Sequence, residues 1–517
     1  MSADILLATL NARYLHAAFG LRYLQANLGE LRPRSALVEF DINQPVLEIA
    51  EAILARSPRI LGLGVYIWNV RPTTELVAIL RRMRPEMRII LGGPEVSYEP
   101  EEQEIVRLAD HVITGEADLK FAEVCRHLLQ DPPAPPLQRL IPAGLPDLNR
   151  LELPYELYDE RDVAHRVIYV EASRGCPFTC EFCLSSLDIP VRQFALDRFL
   201  AAMQGLLDRG VRQFKFVDRT FNLHLPTSTA ILKFFLDRWR EGLFVHFELV
   251  PDRLPEPLRE LIGRFPPGAL QFEVGLQTLN PAVEELISRR QNHVRMEENF
   301  RWLREQSGVH VHADLIAGLP GENLESFGRG FDRLLALGPQ EIQVGILKRL
   351  RGTPIIRHDR EWSMVYSPQP PYEVLQTKDL DFATLSRLRR FAGFWDLFGN
   401  SGRFRESLPL LWQLPAGLES PFVAFLGWSD WLHGRGVKTS GVALTRQFDL
   451  LWEYLTTQAG QDPERVGLTL TRDYQRAGRS DRPEWWRVTA LPESASPIRP
   501  ATLPKRQSRH WVEQGKG

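Results

Sequence analysis

Cysteine is scarce in this chain, with four among 517 residues, so a fold held together by disulfides is excluded. An excess of one charge is also missing, because 63 basic and 65 acidic residues leave a formal net charge of −2. No global basic field therefore favours nucleic acid as a partner. No uninterrupted apolar run is long enough to cross a bilayer, and the N-terminal sequence lacks the basic region and cleavage site of a secretory signal. These absences predict a cytoplasmic protein without a membrane partner.

What is present is the composition of a globular protein, with 44% hydrophobic and 25% charged residues. The length predicts about three domains, which the patterning places at 1–135, 166–365 and 366–490. The stretch 136–165 is predicted as a linker because it follows the proline-rich run DPPAPPL, and 491–517, rich in Pro, Ser and Arg, is predicted as a disordered tail.

In the first region short apolar runs alternate with amphipathic stretches, which predicts a flavodoxin-like (Rossmann-like) α/β domain with a parallel sheet. The runs are 5–10, 36–40, 60–67, 88–91 and 111–114. Ligands of such sheets bind beyond the carboxyl ends of the strands. The candidate binding residues at those ends are Tyr66, Gly92, Gly93, Gly115 and Glu116. Taken alone, the two adjacent glycines favour a tight turn over a ligand site.

The second region contains six strand-helix units, two fewer than a complete βα barrel, and so predicts a partial (βα)6 TIM-like barrel. Polar residues follow the predicted strands, and the rim of a barrel is where catalytic groups lie. They are Arg174, Asp218, Arg219, Glu248, Gln277, Asp314 and Lys348. The third region is predicted to be mainly helical, with an aromatic stripe (Phe391, Phe394, Trp395 and Phe398) that we interpret as core.

Three of the four cysteines, Cys176, Cys180 and Cys183, lie in one loop directly after the first strand of the second region. The fourth, Cys125, lies in a predicted helix and is interpreted as core. Structural zinc needs four ligands, catalytic zinc usually includes histidine, and ferredoxin clusters use four cysteines. Three thiolates therefore favour an iron-sulfur cluster with one iron open to another ligand, ahead of zinc.

This loop, with Phe182 before its last cysteine, resembles the signature of the radical SAM superfamily. The resemblance implies that Cys176, Cys180 and Cys183 ligate a [4Fe-4S] cluster whose open iron is chelated by S-adenosylmethionine. Reductive cleavage would then give a 5′-deoxyadenosyl radical, with an electron donor such as flavodoxin or ferredoxin.

Later segments resemble the other cofactor-binding strands of this superfamily. In FVDRTFN, Asp218 and Thr220 are candidates to meet the amine of the cofactor, although the usual glycines and glutamate are missing. FELVPD places Glu248 where an acid that binds ribose is expected. EVGLQTLN and DLIAGLPGE place Gln277 and Asp314 around the same cofactor.

In the first region, LGGPEVS and ITGEAD resemble the loops that lie beside the corrin in cobalamin-binding domains. The methionine-synthase type of this domain supplies a lower ligand from Asp-x-His-x-x-Gly. Around His16 that motif fails, because Tyr14 replaces the aspartate and Gly20 comes one place late. We therefore expect cobalamin to bind without a protein imidazole beneath the metal.

Together the regions resemble cobalamin-dependent radical SAM proteins, in a subgroup with an extra C-terminal domain of unknown function. The resemblance implies a cobalamin-dependent enzyme, such as a methyltransferase, whose small-molecule or peptide substrate the sequence does not identify. Two alternatives stay open: a radical SAM enzyme without functional cobalamin, and a cobalamin or iron-sulfur binding sensor without catalysis.

Overall fold

The structure is a computed structural model of the 517-residue chain and describes residues 3–130, 135–188, 190–414, 417–418, 420–479, 481–486 and 507–510. It consists of two compact units. The first contains Met1–Arg219, Lys348–Ile356 and Ser367–Glu373, and the second contains Thr220–Leu347, Arg357–Tyr366 and Val374–Gly517. The predicted domain boundaries at 135, 165, 365 and 490 stay predictions, and the predicted disordered tail lies outside the described residues except for 507–510.

A six-stranded parallel sheet begins the first unit, in the order β2-β1-β3-β4-β5-β6. Its strands are β1 Ile5–Asn11, β2 Ser35–Asp41, β3 Ile60–Gly64, β4 Arg88–Gly92, β5 His111–Thr114 and β6 Leu140–Pro142. The helices of this region are α1 Phe19–Ala26, α2 Val46–Leu54, α3 Val70–Met83, α4 Glu104–Leu108 and α5 Lys120–Leu128.

Apolar side chains bury both faces of this sheet. In β1, Leu6 and Ala8 belong to one buried cluster, whereas Ile5 and Leu7 belong to another. Because successive side chains of a strand point to opposite faces, the unbroken apolar run Ile5–Ala8 is what a strand covered on both sides requires. The Rossmann-like prediction is confirmed for this region.

The segment predicted as a linker is packed and partly regular. It carries β6 and the helix α6 Glu160–His165, which Asp159 caps by accepting from the backbone N–H of Asp162. Arg22 ties this helix to the sheet by pairing with Asp162 at 2.6 Å and with Glu39 at 2.9 Å.

The cysteine loop lies in the part of the first unit that follows α6. Strand β7 Ile168–Val170 leads into β8 Ser173–Arg174 and the loop, after which the chain continues through β9 Arg192–Gln193, α7 Leu196–Asp208 and β10 Gln213–Phe216. Strands β7 and β10 pair in parallel, and β8 and β9 form a short antiparallel pair that closes the base of the loop.

In the second unit, four parallel strands pair in the order β14-β13-β12-β11. They are β11 Phe244–Leu249, β12 Leu270–Gln277, β13 His310–Ala317 and β14 Glu341–Ile346. The intervening helices are α8 Leu225–Asp237, α9 Glu256–Ile262, α10 Pro281–Leu286, α11 His293–Gln306 and α12 Leu324–Leu337. All six strands predicted for the barrel region are present, two in the first unit and four in the second.

The C-terminal region is mainly helical, as predicted. Its helices are α13 Phe382–Phe398, α14 Pro421–Gly434, α15 Leu444–Thr457, α16 Pro463–Arg476 and the short α17 Gln507–His510. It also contains two small antiparallel strand pairs, β15 Val365–Tyr366 with β16 Val374–Gln376 and β17 Gln413–Leu414 with β18 Gly417–Leu418. Phe391, Phe394, Trp395 and Phe398 are buried, so the aromatic stripe is core. None of the described helices is long and apolar enough to cross a membrane.

Candidate functional site

A cavity of about 480 Å³ lies in the first unit beyond the carboxyl ends of β3, β4 and β5. Its lining includes all five residues that the sequence places beside a ligand: Tyr66, Gly92, Gly93, Gly115 and Glu116. The cavity is walled mainly by backbone and apolar side chains, which suits a large flat ligand. The structure therefore brings these five candidates to one place, and their contact with a corrin stays a prediction.

Gly93 shows why this wall is made of glycine. Its φ is +110°, and a Cβ added there would lie 2.4 Å from the carbonyl oxygen of Val65. No residue with a side chain could occupy the position without moving β3 or β4.

An aromatic pair stands at the end of β3. The rings of Tyr66 and Trp68 are parallel, with centroids 4.5 Å apart, and Trp68 is 45% exposed.

None of the described residues that line the cavity is a histidine. His16 instead contacts the hydroxyl of Tyr169 at 2.5 Å, and burial, aided by the charge of Lys215, lowers the pKa of its imidazole. That no protein imidazole lies beneath the metal stays a prediction.

Arg174 connects the cavity to the cysteine loop. It donates to Glu116 and Asp118, each at 2.8 Å, and to Glu171 at 2.9 Å, and its guanidinium lies 4.6 Å from the centre of the Tyr23 ring. Burial raises the pKa of the Glu171 carboxyl, while the charge of Arg174 opposes that shift. One largely buried cation thus holds three carboxylates, of which two follow β5 and one follows β7.

The cysteine loop is closed by backbone hydrogen bonds. The N–H of Cys176 donates to the carbonyl of Asp188 at 3.0 Å, and the N–H of Cys183 donates to the carbonyl of Cys180 at 3.1 Å. Gly175 has φ +92°, and a Cβ there would lie 2.7 Å from the carbonyl oxygen of Asp188. Because Asp188 also lines the cavity, loop and cavity share a wall.

The three thiols suit an iron-sulfur cluster. All are free, and Cys176 and Cys180 are 8% and 7% exposed. Burial raises the pKa of Cys176, a backbone hydrogen bond at Phe178 opposes that shift, and the charges of Cys183 and Cys180 raise the pKa further. Among the described residues, no three His, Cys, Asp or Glu side chains could hold a single metal ion. The ligands of a cubane bind different irons, so donors that are too far apart for one ion are compatible with a cluster.

Phe182 lies half-buried between Glu181 and Cys183 in the same loop. Asp218, in contrast, is 3% exposed and accepts from the backbone N–H of Ala172 at 3.0 Å and from the hydroxyl of Ser173 at 2.6 Å. Burial raises the pKa of Asp218 to about 7. These bonds assign Asp218 a part in holding the strand that leads into the loop, and its predicted contact with the cofactor amine stays a prediction.

The remaining four candidates belong to the second unit. Glu248 lies at the end of β11, opposite Glu273, and Asp314 lies on β13, 3.3 Å from Nε2 of His312. Although burial alone would lower it, the hydrogen bond and charge of Asp314 raise the pKa of His312. Thr220 is half-buried and is the first residue in sequence of the second unit.

Gln277 adopts a backbone conformation that is rare outside glycine, with φ +72°, at a register shift between β12 and β13. Bulges and positive φ values at strand ends re-aim side chains and cluster at functional sites. The sequence singled out the residue but carried no sign of this conformation.

A second set of ion pairs was not predicted. Arg351 donates to Glu95 at 3.1 Å and to Glu99 at 3.2 Å, and the hydroxyl of Tyr372 donates to Glu95 at 2.7 Å. Arg349 donates to both carboxylate oxygens of Glu99 at 3.1 Å. These contacts fasten the loop after β4, which walls the cavity, to residues 250 or more positions later. Only the charges themselves could have suggested such pairs, and they do not say which residues meet.

Comparison with known families assigns each region. Residues 5–125 match the B12 binding domain, residues 170–334 match the radical SAM superfamily, and residues 360–511 match a family of unknown function, DUF4080. The chain therefore contains a B12 binding domain, a radical SAM domain and a DUF4080 domain. The radical SAM domain implies a [4Fe-4S] cluster and S-adenosylmethionine, and the B12 binding domain implies cobalamin.

Individual relatives support this assignment. The chain is 25% identical over 363 residues to 2-(S-pantetheinyl)-carbapenam-3-carboxylate methyltransferase of Streptantibioticus cattleyicolor, covering 60% of this chain and 50% of that protein. Its fold is similar to that of the cobalamin-dependent S-adenosylmethionine radical enzyme OxsB, solved with aqua-cobalamin and S-adenosylmethionine (TM-score 0.59, 12% identity, 92% of this chain and 84% of that one). It is also similar to that of the methyltransferase TsrM of Kitasatospora setae, solved with tryptophan and a S-adenosylmethionine analogue (TM-score 0.56, 17% identity, 70% and 77%). The chain spans about half the length of the first curated relatives it matches.

Proposed function

We propose that the protein is a cobalamin-dependent radical SAM methyltransferase acting on a small-molecule or peptide substrate. The observation that carries this proposal is the union, in one compact unit, of a three-cysteine loop and a glycine-walled cavity that share Asp188 and Arg174. A sensor needs only to bind its cofactors, whereas a wall common to both sites serves a reaction that uses them together.

In this proposal Cys176, Cys180 and Cys183 hold the cluster and leave one iron for S-adenosylmethionine. When bound, the cluster supplies the electron that cleaves S-adenosylmethionine, and cobalamin supplies the methyl group. The chain's own contribution is positional. Gly175 and the Cys176–Asp188 hydrogen bond fix the loop, and the burial of two of the thiols limits access of water to them.

Gly93, Gly115 and Tyr66 would accept the corrin in the cavity, and Arg174 fixes the wall between corrin and cluster. In the second unit, Glu248, Gln277 and Asp314 would hold S-adenosylmethionine, with its ribose at Glu248. The cluster requires an external one-electron donor, for which a cytoplasmic flavodoxin or ferredoxin is the expected partner.

The test is an anaerobic assay of the reconstituted protein with S-adenosylmethionine and a low-potential reductant, in which 5′-deoxyadenosine and S-adenosylhomocysteine are quantified. We expect reductant-dependent 5′-deoxyadenosine in the intact protein and none in Cys183→Ala. As a matched control, Cys125→Ala, which changes a buried thiol outside the loop, should retain the activity.

The same assay separates the alternatives. Without cobalamin, the proposed enzyme should still cleave S-adenosylmethionine but should not form S-adenosylhomocysteine in step with methylated product. Equal S-adenosylhomocysteine with and without cobalamin would favour a radical enzyme that does not use the corrin. A protein that binds both groups and never yields 5′-deoxyadenosine would be a sensor.

A further inference from the structure

After the last strand of the barrel region the chain returns to the first unit in two short segments, Lys348–Ile356 and Ser367–Glu373. We call these two segments together the strap. They are joined to each other, because the N–H of Arg349 donates to the carbonyl of Tyr372 at 3.0 Å. Since none of its residues is assigned to a cofactor above, the role of the strap has to be inferred from what it contacts.

The strap first contacts the β4 loop, residues 93–99, whose first two residues line the cavity. Arg349 donates to both carboxylate oxygens of Glu99 at 3.1 Å. Arg351 donates to Glu95 at 3.1 Å and to Glu99 at 3.2 Å. The side chain of Glu95 is 4% exposed and that of Arg351 is 16% exposed. Because both charges are largely removed from water, each depends on the other to be paired.

A few residues later the strap contacts the cysteine loop. The N–H of Ile355, which is fully buried, donates to the carbonyl of Glu181 at 3.0 Å. Between these contacts Gly352 lies against the ring of Tyr98, so closely that a Cβ on the glycine would lie 2.4 Å from the ring. Burial raises the pKa of the Tyr98 hydroxyl, and the nearby charge of Asp188 raises it further. The strap thus contacts both loops that meet at the cavity wall.

Strained backbones mark the place where strap and β4 loop meet. Glu99 has φ +49° and Tyr372 has φ +54°, values that residues with a Cβ rarely adopt. Such conformations persist only where the surrounding contacts hold them, and they cluster at functional sites. Here the hydroxyl of Tyr372 donates to Glu95 at 2.7 Å, and the guanidinium of Arg351 lies 5.1 Å from the centre of the Tyr372 ring. The contacts of Arg351 therefore hold two backbones that would relax without them.

We propose that Arg351 is a positioning residue that acts through the strap, so that corrin binding and the ordering of the cysteine loop favour each other. This inference rests on the proposed function, because it takes the cavity as the corrin site and the three cysteines as ligands of the cluster. Arg351 fixes the β4 loop, and the residues that follow it in the strap fix the carbonyl of Glu181. Two sites that need the same arrangement of a shared element are coupled, equally in both directions. Arg174 is a separate link between the sites, so loss of Arg351 should weaken the coupling without abolishing it.

The test measures the affinity of the full chain for hydroxocobalamin by equilibrium dialysis, before and after anaerobic reconstitution of the cluster. The ratio of the two dissociation constants reports the coupling and involves no turnover. The variants are Arg351→Met, Arg351→Lys, Tyr372→Phe and the control Arg34→Met. Arg34 pairs with Asp4 at 2.7 Å in the same unit and is 46% exposed. The thermal midpoint and the hydrogen exchange of residues 176–188 are recorded on the same samples.

In the intact protein and in Arg34→Met we expect hydroxocobalamin to bind about tenfold more tightly once the cluster is present. In the protein without the cluster, hydroxocobalamin should slow hydrogen exchange in residues 176–188. In Arg351→Met the ratio should fall to about threefold or less, and the slowing should be lost. Arg351→Lys keeps the charge but not the fork and should restore part of the ratio, whereas Tyr372→Phe, which removes one hydrogen bond, should lower it least.

A purely structural Arg351 would give a different result, because its loss would lower the thermal midpoint and leave the ratio unchanged. That result, or equal affinity with and without the cluster in the intact protein, would overturn this inference and leave the proposed function standing. An intact protein that binds no hydroxocobalamin would overturn both. A protein that shows the full coupling but never forms 5′-deoxyadenosine would contradict the proposed function alone.

Discussion

The cysteine-bearing unit and the C-terminal helices are stabilised by different means. Around the cysteine loop, shape depends on glycine backbones and on Arg174, which binds Glu116, Asp118 and Glu171. Among the C-terminal helices it depends on packed rings, for example Trp428 against Phe398, with ring centroids 4.5 Å apart. Ion pairs and strained turns fix a few atoms in place but add little net stability, whereas apolar packing adds stability without directing any polar group. Substitutions in the two regions should therefore fail in different ways.

The largest expected loss of stability is at Trp428, which is fully buried. Trp428→Ala should lower the free energy of unfolding by about 3–5 kcal/mol, because it leaves a large cavity between α13 and α14. The free energy of unfolding is measured by chemical denaturation, from the transition in which the C-terminal helices unfold. Trp428→Phe serves as a milder control. At temperatures where the variant stays folded, iron and cobalamin content should equal those of the intact protein. A selective loss of iron would break the distinction between the regions.

Arg174→Met should show the reverse pattern. Removing the cation leaves three carboxylates close together in a largely buried place, which costs roughly 3 kcal/mol and acts where the loop meets the cavity. We expect lower iron content after reconstitution and at least tenfold weaker cobalamin binding, followed by absorbance. Arg198→Met is the matched control, since Arg198 pairs with the exposed Glu152 at 2.9 Å in the same unit. If both variants load cofactors alike, Arg174 has no positioning role.

The smallest effect, taken over a single pH unit, is the pH dependence that Asp218 gives to stability. The pKa of Asp218 is raised to about 7 in the folded protein, so between its unfolded pKa near 4 and 7 the folded state holds a proton that the unfolded state has lost. The contribution of this group to stability therefore falls as pH rises toward 7, by up to about 1.4 kcal/mol per pH unit, and is constant above it. Asp218→Asn should flatten the stability profile between pH 5 and 7, measured by denaturant unfolding. An unchanged slope would contradict the assigned pKa.

Much of this architecture was predictable from the sequence. The strands of the first sheet and of the barrel region are continuous or alternating apolar runs, and β5 has the predicted bounds His111–Thr114. The cysteine loop and the GGPEVS loop were predictable because each is recognised from a short stretch of sequence. In contrast, β6 was not predicted, because it has only three residues between proline-rich stretches and is too short to show a strand periodicity.

The contacts that hold the candidate site together could not be predicted from the sequence. Arg174 and Glu116 are 58 positions apart, and Arg351 and Glu95 are 256 apart, so no local pattern pairs them. The positive φ of Gln277 also has no signature in its residue type. Residues 507–510 lie in a stretch predicted to be disordered, yet they form the short helix α17, whose His510 contacts the carbonyl of Asn400 at 3.0 Å.

The most direct test of the central claim is electron paramagnetic resonance of the reduced protein with and without S-adenosylmethionine. We predict a [4Fe-4S]⁺ signal that changes on adding S-adenosylmethionine in the intact protein and in Cys125→Ala, and no such signal in Cys176→Ala, Cys180→Ala or Cys183→Ala. A signal that survives any one of these three substitutions unchanged, or one that is indifferent to S-adenosylmethionine in the intact protein, would contradict it.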